Sequence, residues 1–143
     1  MDPHFRDPDE TYRAYQRFLK RNEPEKAYRC LERLLKQFPD DIGLLDDIVT
    51  LAVGQLQNST LARPWLVQRI KIASYWPDYV LLSRIEAEDG NLAKAKEHLA
   101  IATKLQRKQR FLMDSPREAR EALDRARDFI RLQEHNRWVK RVS

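Results

Sequence analysis

Apolar residues recur at three- and four-residue steps along most of this chain, and polar residues fill the gaps between them. That period places the apolar side chains on one face of a helix. The first predicted helix opens at Asp7-Pro8-Asp9-Glu10 and carries Ala14, Tyr15, Phe18 and Leu19. Asp7 can cap it, Pro8 suits its first position, and Glu10 is placed for a capping box. Asn22-Glu23-Pro24 ends that helix and starts a second, with Ala27, Leu31, Leu34, Leu35 and Phe38. Pro39-Asp40-Asp41 opens a third, with Leu44, Leu45, Ile48, Val49, Ala52 and Leu56.

A fourth helix is expected from Leu61–Pro64 to Trp76. It is apolar on much of its circumference (Trp65, Leu66, Val67, Ile70, Ile72, Ala73, Trp76), which predicts packing on more than one side. Trp65 and Trp76 then share one face and read as core. A fifth helix runs from Asp78 to about Asp89, with a Gly90-Asn91 turn after it, and a sixth carries Leu92, Ala95, Leu99, Ala102 and Leu105. Residues 107–114 read as a linker. Ser115-Pro116-Arg117-Glu118 starts a seventh helix striped by Ala119, Ala122, Leu123, Ala126, Phe129 and Ile130. Beyond Leu132 the stripe decays and fraying is expected.

Four prolines mark the helix starts: Pro8, Pro39, Pro77 and Pro116, spaced 31, 38 and 39 residues apart. Such a period belongs to arrays of helical hairpins. Two segments align in register. Asn22 to Leu31 (NEPEKAYRCL) matches Gly90 to Leu99 (GNLAKAKEHL), with Lys26/Lys94, Ala27/Ala95 and Leu31/Leu99 identical and Lys36/Lys104 following. The offset is 68 residues, twice 34.

These segments resemble the tetratricopeptide repeat (TPR) family, whose unit is a 34-residue helix–turn–helix. Gly90-Asn91-Leu92, Ala95, Leu99 and Ala102 look like the family's turn and second helix. Tyr79, Leu82 and Ser83 fall at its large–Leu–small positions; Thr11, Ala14 and Tyr15 fill those places less well in the first unit. The resemblance covers roughly residues 7–107. It implies an all-α fold: one domain, a right-handed superhelical stack of three hairpins (7–39, an irregular 40–77, and 78–107) capped by a C-terminal helix at 115–140. The middle unit departs from the pattern, being longer and carrying Trp65 close to where a small residue belongs.

The family's usual role implies a non-enzymatic adaptor holding a partner peptide or helix in a concave groove. Carried over by position, the groove residues are Tyr12, Gln16 and Lys20 in the first unit, Asp46 and Thr50 in the second, and Arg84 and Glu88 in the third. A plain solvated surface is the competing reading for each. Tyr12 and Gln16 stand where the family's chaperone-binding members carry a lysine and an asparagine of their carboxylate clamp, so that clamp is absent.

Composition adds three constraints. The 143 residues carry 3 glycines, few for an all-β or dinucleotide-binding chain, and 34% charged residues in mixed-sign strings. Cys30 is the only cysteine, so no intrachain disulfide forms, and with no apolar leader in MDPHFRDPDE a reducing, cytoplasmic setting is expected. No apolar run has the length of a membrane span, so no membrane association is expected.

The net charge of +5 is unevenly placed. Residues 1–103 carry 15 Lys/Arg against 16 Asp/Glu, whereas residues 104–143 carry 12 against 6. Arg107-Lys108-Gln109-Arg110 and Arg137-Trp138-Val139-Lys140-Arg141 bracket the last helix. They support an alternative function, a nucleic-acid-associated protein using this basic end. Glu118, Glu121, Asp124 and Asp128 interleave with its arginines and favour pairing within the helix instead.

Catalytic chemistry finds no foothold. His4, His98 and His135 lack metal-ligand spacing, and His98 reads as a packing residue. Cys30 reads as a small buried apolar residue. Asp40-Asp41 and Asp46-Asp47 suit a helix N-terminus. No phosphate loop or serine elbow is present. No enzyme activity, cofactor or metal is expected. Self-association is left open, with Phe5 and Phe111-Leu112-Met113 as contacts.

Overall fold

The computed structural model describes residues 7–110 and 115–142. His4, Phe5 and Phe111-Leu112-Met113 lie outside them. Among the described residues the chain is all-α, with seven helices and no strand: α1 (Pro8–Lys20), α2 (Pro24–Gln37), α3 (Ile42–Val53), α4 (Ser59–Ile72), α5 (Trp76–Glu88), α6 (Leu92–Lys108) and α7 (Pro116–Val142). None is long and apolar enough to cross a membrane. The chain divides into two compact units, Met1–Ile72 and Ala73–Ser143.

In the first unit α1 packs on α2, α2 on α3, and α3 on α4. Pro8 and Pro24 open helices as expected, whereas Pro39 lies in the turn before α3. Pro8 sits in the first turn of α1, where Asp7 Oδ1 accepts from Asp9 N at 3.1 Å. Pro24 opens α2. Asp41 caps α3, its Oδ1 accepting from Leu44 N at 3.1 Å. The core is built from Ala14, Tyr15, Ala27, Leu31, Leu34, Leu35, Leu45, Ile48 and Ala52. A polar link crosses from the first hairpin to α4. The Tyr28 hydroxyl accepts from Trp65 Nε1 at 2.8 Å and donates to the Leu61 carbonyl at 3.4 Å.

The fourth helix differs from expectation. It begins at Ser59, with Pro64 inside it, and stops at Ile72. Only Ala62 and Leu66 are buried, and Val67 is exposed. Trp76 is not on it: Trp76 is the first residue of α5, so the two tryptophans share no helix face. Residues 73–75 break the run, because Pro77 needs a helix start next to it and disfavours helical backbone before it.

In the second unit α5 and α6 form a hairpin and α7 packs on both. Trp76, Ala87, Ala95, Leu99 and Ala102 meet Ala119, Leu123, Ala126 and Ile130 in one core. Ser115 caps α7, its Oγ accepting from Glu118 N at 3.2 Å. Gln109 closes the open end of the hairpin: its Oε1 accepts from Trp76 N at 3.0 Å and its Nε2 donates to the Ser74 carbonyl at 2.8 Å. The C-terminal helix expected at 115–140 is α7, which runs on past Leu132 to Val142.

The 68-residue relation holds in three dimensions at the turns. Asn22 (φ 58°) and Gly90 (φ 85°) both take the left-handed conformation. Glu23 N donates to the Phe18 carbonyl at 2.8 Å, and Asn91 N to the Glu86 carbonyl at 2.8 Å; Asn22 N reaches Leu19 O, and Gly90 N reaches Ala87 O, each at 3.1 Å. Both are Schellman closures. Ala27 and Ala95 follow at matching places, each fully buried. The α3–α4 connection breaks the pattern: it spans residues 54–58 and places Gln57 at positive φ.

Candidate functional site

The first unit holds a groove of about 330 Å³ between α1, the end of α2 and the start of α3. Tyr12, Leu34, Phe38 and Leu44 give it apolar walls, and Asp9, Asp41 and Asp47 give it acidic ones. Among the described residues no basic side chain lines it. Phe38 is 45% exposed and Tyr12 37%, so two aromatic rings stand open to solvent at this one place. The helix periods create the juxtaposition. Tyr12 lies one position beyond the buried Thr11 and beside the buried Tyr15, at the edge of the α1 stripe. Phe38 is the residue at which α2 ends.

The electrostatics are one-sided. The Tyr12 hydroxyl donates to Asp47 Oδ2 at 3.4 Å, and the Tyr12 and Tyr15 rings lie 5.4 Å apart. Burial and the Asp47 charge push the Tyr12 phenol above its ordinary range and the Tyr15 phenol up to about 12. Burial also raises the Asp47 carboxyl, against the hydrogen bond from Tyr12. A half-buried carboxylate with its pKa raised by desolvation is favourably placed to receive a cation.

The expected groove residues meet different fates. Tyr12 lines the groove. Gln16 and Lys20 are exposed on α1. Asp46 is turned to α4, where it pairs with Arg69, and its neighbour Asp47 faces Tyr12 instead. Thr50, one turn beyond Asp46, is exposed. Arg84 lies over the Phe129 ring of α7, 5.4 Å from its centroid. Glu88 lines a cavity of about 410 Å³ whose other wall is α7, through Gln133, Asn136, Arg137 and Lys140. In the second unit the expected binding positions thus face the chain's own seventh helix. That cavity is the larger of the two, but its charges are of mixed sign and Arg137 already spans it to the Gly90 carbonyl, at 3.4 Å.

Sequence reasoning missed Phe38, Asp41 and Asp47 as groove residues. Asp40-Asp41 and Asp46-Asp47 were assigned to the helix N-terminus, and Asp41 does cap α3. The other three have separate partners: Asp40 accepts from Gln68 Nε2 at 2.9 Å, Asp46 pairs with Arg69, and Asp47 accepts from Tyr12. A signal for Asp47 was available. It lies one position before the buried Ile48 and three after the buried Leu44, so it borders the apolar stripe of α3.

Elsewhere, Cys30 is buried. His98 is half-buried beside the Tyr79 ring, and burial holds its imidazole below the ordinary value against the pull of Glu86 and Glu97. Among the described residues no group of three His, Cys, Asp or Glu side chains is placed to hold a metal. Comparison with protein-family models, with curated proteins and with solved structures gave no match.

Proposed function

We propose that this chain is a non-enzymatic adaptor of TPR-like helical hairpins, acting in the cytoplasm, that holds a segment of a partner protein in the groove beside Tyr12. The observation that carries this reading is the groove itself: two exposed aromatic rings and three carboxylates around an apolar floor, with no cation among its described lining residues. Aromatic rings supply contact area at low entropic cost, and one-signed charge selects the partner's sign. The favoured partner is a segment carrying Lys or Arg next to an apolar residue. The matched turns at Asn22 and Gly90 support the repeat reading.

The test is selection of peptides from a random display library on the wild-type protein. Cationic–apolar peptides are expected, with binding lost in Tyr12→Ala and in Asp47→Lys and kept when residues 134–143 are deleted. Selected peptides that bind both groove variants as well as the wild type would overturn the reading.

A further inference from the structure

The seventh helix has two apolar faces. One is the buried stripe Ala119, Leu123, Ala126 and Ile130. The second begins where the first stops. Leu132, Trp138 and Val142 are exposed by 53%, 60% and 63%. At 100° per residue Leu132, His135 and Val142 lie on the side of α7 away from the buried stripe, and Trp138 lies at the edge of that side, about 90° from the stripe. The His135 and Trp138 rings stack, 6.2 Å between centroids. Arg131 lies within this face and pairs with Asp128 one turn before it, and Arg141 lies at its edge beside Trp138, one turn beyond Arg137, which reaches the Gly90 carbonyl. Trp138 and Arg141, three residues apart, present an indole and a guanidinium together.

We propose that this face of α7 docks in the Tyr12 groove of a second copy of the chain. The proposal rests on the reading of that groove as a protein-binding site. Its argument is complementarity. The groove joins aromatic walls to carboxylates, with no cation among the described residues that line it. The helix face joins an exposed indole to Arg141 at its edge and to Arg131, which pairs with Asp128. The groove's charged walls are acidic and the edge of the helix face offers Arg141, and both surfaces carry exposed aromatic area. The groove volume of about 330 Å³ suits one large side chain with a charged neighbour at its rim. The contact is heterologous, groove to helix, so a reciprocal exchange closes a dimer and a one-way exchange grows a chain.

Light scattering across roughly a hundredfold concentration range tests it, since association by mass action must deepen with concentration. The wild-type protein is expected to rise in mass from monomer to dimer or beyond. Trp138→Ala/Arg141→Glu, at two exposed positions, is expected to stay monomeric with unchanged helicity. So is the groove variant Asp9→Lys/Asp47→Lys. Mixing the two variants is expected to restore a complex, because one contributes an intact helix face and the other an intact groove. A wild-type protein that stays monomeric throughout would overturn the proposal. So would association that survives the α7 variant. So would an α7 variant that loses salt-sensitive binding of a random oligonucleotide while its self-association is unchanged. Library selection on the same protein separates the two readings. Groove-dependent peptides from a protein that never self-associates defeat the docking proposal alone; no groove-dependent peptides and no association defeat both.

Discussion

Asn22 and Gly90 occupy the same place in two turns 68 residues apart, and both carry positive φ. Their costs differ. Glycine has no Cβ to clash in that conformation, whereas asparagine tolerates it with some strain. A Cβ at Gly90 would meet nothing within 4 Å, so the penalty of Gly90→Ala is purely conformational. We expect Gly90→Ala to lower stability by about 1–2 kcal/mol. Asn22→Gly is expected to be neutral or slightly stabilising. Urea melts of both variants check this; a neutral Gly90→Ala would show that the turn relaxes out of its Schellman closure.

A second prediction concerns the link between the hairpins of the first unit. Tyr28 accepts from Trp65 Nε1 at 2.8 Å, and both residues are half-buried. Tyr28→Phe leaves the indole N–H without this acceptor and is expected to cost about 1–2 kcal/mol. Trp65→Phe removes the donor together with packing area. A double-mutant cycle on the pair should give a coupling energy clearly above zero. Additive losses would show that the contact is incidental.

Helix starts were legible because proline, serine and aspartate act locally. Pro8, Pro24, Pro116, Asp7, Asp41 and Ser115 all do what their chemistry dictates within three residues. The apolar stripes were legible for the same reason, down to Ala27 and Ala95. The fourth helix was not. Its apolar residues continue past Ile72 without a change of period, so Trp76 looked like its end rather than the start of α5. The Tyr12 groove was half legible. Its α1 wall follows from the edge of one stripe. Its other walls come from helices up to 35 residues away, and the choice between Asp46 and Asp47 depends on the rotation of α3, set by packing on α4.

The role of α7 as a cover leads to a third prediction. Leu123 and Ile130 belong to the core shared with α5 and α6. Leu123→Ala is expected to cost about 2–4 kcal/mol, the range for a buried leucine that leaves a cavity. Removing residues 134–143 deletes the exposed Lys96–Glu134 ion pair and the long Arg137–Gly90 contact, and should cost about 1 kcal/mol or less. Hydrogen exchange resolved along α5 and α6 would detect the difference. Equal losses from the two changes would mean that the end of α7, and not its buried stripe, holds the unit together.

The last prediction separates stability from binding at Asp47. Burial raises its carboxyl above the ordinary value of 3.8. The folded protein therefore holds this proton more tightly than the unfolded chain does. Between 3.8 and the raised folded value the native state binds more protons, so Asp47 makes stability fall as pH rises through that window. Above the window its full penalty is present; below it the penalty is gone. Asp47→Asn removes the charge and keeps an acceptor for the Tyr12 hydroxyl. Its Tm should exceed that of the wild type at neutral pH, and the gap should close as pH falls towards 3.8. The same variant should bind cationic peptides more weakly, since it loses a carboxylate of the groove. That pairing, more stable yet weaker in binding, is what a residue kept for recognition produces. Thermal melts of both proteins across this pH range, with a peptide titration at neutral pH, decide it. A variant less stable than the wild type at neutral pH would make Asp47 a structural residue and sink the assignment.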